Sequence, residues 1–213
     1  MTSAEPAPDP VHASADAGSA EDETVRDASP LFLVALRDTA FVLGALSLWA
    51  GADAWSQATG AGFGVFLSSA TGLLAGAFTA AQLHEWGHFA GARLSGGTAP
   101  ISPAGKLVPL FLFDFERSDE RQFRWMSIGG NLAHWLAAIA LFAFVPTASP
   151  GGLALACGGL GFAVFASSIE FPVIRRALDG TPGAEALATI DAEGIQRSGW
   201  IGLGVALGAF VLL

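Results

Sequence analysis

The sequence has a single cysteine, and charged side chains make up only 14% of its 213 residues. One thiol, Cys157, excludes an internal disulfide, and its place in an apolar run points to packing. The ten Lys and Arg residues are scattered, so the chain has no basic cluster of the kind that binds nucleic acid. Outside the apolar runs, no segment is long enough for a compact soluble domain that could read peptides. What fills the chain is apolar: 52% hydrophobic residues and a mean hydropathy of +0.52 do not suit an ordinary soluble domain. Many of the 27 glycines fall inside the apolar runs, where small residues let helices approach closely in lipid.

The net charge of −9 says little about partners, because seven acids against Arg26 in residues 1–30 account for −6 of it. That Pro-, Ala-, Ser- and Asp-rich stretch is expected to be a disordered cytoplasmic tail. It lacks a basic stretch leading into a cleavable apolar core, so it does not read as a signal peptide. Residues 31–213 are expected to form one transmembrane domain.

The expected fold class is an all-α polytopic membrane protein with five spans. These are about Thr39 to Trp55, Phe63 to Leu94, Ile128 to Val145, Leu153 to Phe171 and Ser198 to Leu213. The first is the least clear, because Arg37, Asp38 and Asp53 crowd its ends. If the five alternate in direction, all ten basic residues fall on one side, which predicts a cytoplasmic N-terminus and a multi-pass protein of the cell membrane.

His84-Glu85-Trp86-Gly87-His88 stands inside the second apolar segment. Two histidines four residues apart share one helix face and can hold one metal ion, with the glutamate beside them as base. Ionisable residues in such a segment are costly and usually functional. At about 1.5 Å per residue, His84 lies roughly 30 Å along the helix from Phe63, near its cytoplasmic end. A zinc hydrolase needs three protein ligands and one open position.

With Ala92 four residues further on, this segment resembles the HExGHxxxA signature of the site-2 protease family of intramembrane zinc metalloproteases. That family carries an LDG motif whose aspartate is the third ligand, and Leu178-Asp179-Gly180 follows a span here, with Pro172 upstream. Its glycine-proline-x-x-asparagine element has a counterpart in place and order, Gly129-Gly130-Asn131-Leu132-Ala133-His134. The resemblance covers roughly Phe63 to Pro182. It implies a Zn2+ held by His84, His88 and Asp179, with Glu85 as catalytic base. His134 or Asn131 would then be the donor to an oxyanion.

The third ligand has rivals. Glu170 ends an apolar run, where an unpaired carboxylate is expensive. A glutamate ligand would resemble the prenyl-protease-like group, whose pattern puts Ala-Asp at the third and fourth positions after the glutamate. Val173 and Ile174 stand there instead. His134 could complete a three-histidine site or simply bond to a neighbouring helix, and Asn131 could cap the helix beginning at Leu132. Asp179 itself could be a turn residue, since Asp-Gly is a common turn pair. Thr181-Pro182-Gly183-Ala184-Glu185 reads as the start of a shorter helix.

Between the second and third spans, Lys106 to Phe115 is apolar, β-prone and too short to cross a membrane. It reads as a buried strand or a re-entrant element. By the family resemblance, such an element can pair with an unwound substrate. The function so expected is hydrolysis of a peptide bond in a membrane-spanning substrate near the cytoplasmic face. The alternatives are a catalytically inactive membrane scaffold of the same family, or a metal-dependent membrane enzyme with a non-peptide substrate.

Overall fold

The computed structural model describes residues 17–102 and 109–213, with side chains from residue 30 onward. Six helices follow in order: α1 (Ala17–Thr59), α2 (Gly62–Leu94), α3 (Glu120–Phe144), α4 (Pro150–Leu178), the short α5 (Gly183–Leu187) and α6 (Ala192–Leu212). All but α5 are long and apolar enough to cross a membrane, which makes the chain an all-α, multi-pass membrane protein. The expected tail lies partly outside the described residues, and from Ala17 the backbone is already helical.

Neighbouring spans run antiparallel, as their contacts require. Asp53 of α1 meets Ser68 of α2, while Asp38 meets Trp86. Ser167 and Glu170 of α4 meet His134 and Asn131 of α3. The α4 helix sits at the centre: 61% of its apolar window is buried inside the protein, against 11–33% for the other spans.

Glycine makes that centre possible. A β-carbon at Gly76 of α2 would overlap the carbonyl of Leu155, and one at Gly158 of α4 would overlap that of Leu73. The two backbones therefore pack without side chains between them, a contact that only small residues permit. The α2–α3 crossing uses the same device, since Gly87 and Gly129 each face the other's carbonyl oxygen.

The acids that made the first span doubtful are buried and bonded. Asp38, 5% exposed, pairs with Arg37 and accepts from Trp86 Nε1 at 3.1 Å. Asp53, 8% exposed, accepts from Ser68 Oγ at 2.7 Å, Gln57 Nε2 at 2.6 Å and Ser149 Oγ at 3.0 Å. Cys157 is fully buried in α4, in a packing position.

Four helices extend beyond their expected spans by more than a turn: α1 and α6 begin earlier, as does α3, and α4 ends later. An Asp119–Gln122 capping box starts α3 two turns before Ile128. The α4 helix continues past Phe171, through Pro172, to Leu178. Proline removes one backbone hydrogen bond there. Packing holds the extension: Val173 and Ala177 join a buried cluster with Phe89, Phe123 and Met126. Beyond it, Glu120 of α3 accepts from the Gly183 N–H at 2.9 Å, tying down α5 where a short helix was expected.

The β-prone run finds a partner that the sequence did not reveal. Ile101 bridges antiparallel to Phe111, with Ser102 N donating to Leu110 O at 2.9 Å. Leu112 N donates to Pro100 O and Asp114 N to Thr98 O, both at 3.0 Å. Residues 106–108 of the run lie outside the described residues.

Candidate metal centre

His84 and His88 lie one turn apart on α2, as the i, i+4 spacing requires. Their Nε2 atoms stand 3.2 Å apart. Glu170 Oε1, from α4, is 2.7 Å from His88 Nε2 and 3.2 Å from His84 Nε2. Two donors on one tetrahedral zinc ion stand roughly 3.3 Å apart. Among the described residues, these three form the group of His, Cys, Asp and Glu side chains able to hold a metal ion.

The chemistry of the donors supports the same reading. His88 Nδ1 lies 2.8 Å from the Met126 carbonyl oxygen, which can only accept. Nδ1 therefore carries the proton, and in the neutral ring Nε2 presents a lone pair to the Glu170 carboxylate. Lone pairs facing one another repel, and a shared cation removes the repulsion. The ring also fits a prepared space, because a β-carbon at Gly130 of α3 would overlap it.

Glu85 lies beside the ligands and faces a cavity of 370 Å³, which it lines together with His88, Ser127 and Glu170. The rest of the lining is mainly apolar, including Phe111 and Phe113 from the hairpin and Val173 from α4. Leu110 N approaches Glu85 Oε2 at 3.5 Å, bringing the hairpin to the edge of the site. Trp86 points the other way and holds α2 to Asp38 of α1.

The remaining expected site residues are redistributed. Asp179 is an exposed C-cap of α4, outside the ligand group. It lies nine residues beyond Glu170, or about 13 Å along the helix axis. The reason is the unbroken α4: with the helix continuing through Pro172, the residue facing α2 at the level of His88 is Glu170. Asn131 bonds to Glu170 Oε2 through Nδ2, with a second contact to Ser127 O at 3.3 Å. His134 is fully buried, its Nδ1 3.0 Å from His84 Nδ1 and its Nε2 3.1 Å from Ser167 Oγ. Both side chains are engaged by these partners, and neither lines the 370 Å³ cavity.

Sequence reading missed Ser167, Gly130 and the Met126 carbonyl. Ser167 left a faint signal, since it stands three residues before Glu170 and so shares its helix face. No family model, curated protein or solved structure matches this chain.

Proposed function

We propose that this chain is an intramembrane zinc metallopeptidase that hydrolyses a peptide bond of a membrane-spanning substrate near the cytoplasmic face of the cell membrane. The observation that carries the proposal is the convergence of His84 Nε2, His88 Nε2 and Glu170 Oε1, with Glu85 beside them on an apolar cavity. The order of motifs resembles the site-2 protease family, with Glu170 in the ligand role that family gives to the LDG aspartate.

Zinc held by these three residues would polarise a peptide carbonyl and acidify water. Glu85 then takes the proton of the attacking water and delivers it to the leaving amine. The apolar cavity walls lower the local dielectric and strengthen the electrostatics beside them. An extended substrate segment suits the hairpin. Leu110, Leu112 and Asp114 bond inward to the extended segment Thr98–Ser102, so the backbone groups of Phe111 and Phe113 face the other edge. Edge pairing there would present the scissile bond in extended form.

The orientation follows from charge. The basic residues with described side chains are Arg37 in the first half of α1, Arg93, Arg117, Arg121 and Arg124 from the end of α2 to the start of α3, and Arg175, Arg176 and Arg197 from the end of α4 to the start of α6, all toward the end of the bundle that holds the candidate metal centre. By the positive-inside rule that end is cytoplasmic.

The test is cleavage of a single-span substrate in proteoliposomes by wild type and Glu85→Gln, with zinc measured in both. Loss of a base of this kind lowers the rate on the order of 10²–10⁴-fold, and zinc should remain bound. Equal cleavage by the two proteins overturns the mechanism.

A further inference from the structure

A chain of hydrogen bonds runs behind the metal centre, and an ion on His84 Nε2 leaves it only one direction. Glu170 Oε2 is a carboxylate oxygen, so Asn131 must present its Nδ2 amide there. Asn131 Oδ1 is thereby turned toward Ser167 Oγ, 3.4 Å away, as an acceptor for the hydroxyl. A hydroxyl has one proton. Donation to His134 Nε2 instead would place the His134 proton on Nδ1 and a proton on His84 Nε2, where the ion binds. With the hydroxyl proton on Asn131, Ser167 Oγ accepts from Trp135 Nε1 at 2.9 Å and from His134 Nε2 at 3.1 Å.

His134 therefore carries its proton on Nε2 and presents a lone pair at Nδ1. That lone pair faces His84 Nδ1 at 3.0 Å, and the proton between them belongs to His84. His84 Nε2 is then left bare toward His88 and Glu170. Burial removes bulk water as a competing partner: His134 is 0% exposed, Ser167 5% and Asn131 7%.

We infer that Ser167 is a positioning residue of the metal centre, setting through His134 the tautomer in which His84 turns its Nε2 lone pair to the ion. The inference rests on the reading that His84, His88 and Glu170 hold a metal. The two histidine ligands differ here. The tautomer of His88 is set by a backbone carbonyl, which mutation leaves in place, whereas that of His84 is set by side chains alone. One serine thus links two ligands from different helices, since its hydroxyl orients Asn131 on Glu170 as well as His134 on His84.

The chain has only four histidines, which suits nitrogen-15 labelling of their rings. Long-range proton–nitrogen spectra of the full chain with Zn2+ should find His84 and His88 protonated at Nδ1 and His134 at Nε2. Zinc titration of Ser167→Ala should give an affinity lower by about 10–100-fold, the usual effect of losing such a partner. The His134 tautomer should no longer be held, and Ser167→Thr, which keeps the hydroxyl, should restore most of the affinity. His134 protonated at Nδ1, His134 bound to zinc, or wild-type affinity in Ser167→Ala would each overturn the inference while leaving the metal centre standing. Folded wild type that takes up no zinc overturns the metal centre itself. Should Ser167→Ala fail to fold, the wild-type spectra alone decide.

Discussion

Gly130 and His88 are matched across the α2–α3 contact: a β-carbon at Gly130 would overlap Cε1, Nε2 and Nδ1 of the imidazole ring. The ring packs against the α3 backbone at Gly130, with Nδ1 on the Met126 carbonyl and Nε2 turned to Glu170. One missing methyl group thus sets where the His88 ring can lie.

Gly130→Ala should therefore displace the His88 ring and weaken zinc binding, by about 10-fold or more on the scale of lost ligand support. The helix itself tolerates alanine, so circular dichroism should stay unchanged. Gly208→Ala is the control, because a β-carbon there meets nothing within 4 Å. Zinc titration of the two variants checks the prediction, and equal affinities would count against it.

Glu170→Gln should lose zinc, while Asp179→Asn should keep it. The first removes a donor 2.7 Å from His88 Nε2, and the second alters an exposed helix end. Metal content of the purified variants decides between the two carboxylates. Zinc lost from Asp179→Asn and kept by Glu170→Gln would restore the LDG aspartate as third ligand.

Asp53→Ala should destabilise the bundle without touching the metal. It leaves Ser68, Gln57 and Ser149 without their shared acceptor, at a cost of about 1–3 kcal/mol. Ser68 and His84 are sixteen residues apart on α2, or about 24 Å along its axis, so the two clusters lie toward opposite ends of the helix. A lower thermal midpoint in detergent with unchanged zinc affinity is the expected result.

The acids show how much of this was legible. Asp38 and Asp53 argued against a first span because a carboxylate in lipid is costly, and they made that helix hard to place. Their partners, Trp86, Ser68 and Ser149, lie 15 to 96 residues away in sequence. Such pairings appear only when helices pack. The bridged segments behave likewise: the Lys106–Phe115 run announced itself as β-prone, but the segment its described part bonds to, Thr98–Ser102, has no comparable pattern.

Local physics written into the sequence determined the five apolar helices, because hydrophobic runs of membrane-spanning length are a property of composition alone. It also determined that His84 and His88 share a face beside Glu85, because i, i+4 spacing has one outcome on a helix. Tertiary structure alone decided which carboxylate stands beside the two histidines. Glu170 and Asp179 sit on one chain segment, and the choice depends on α4 running through Pro172 and on its register against α2. That register is set where Gly76 and Gly158 let the two backbones touch. Coordination needs donors within about 3 Å of one another, and only the packing of separate helices fixes distances of that size.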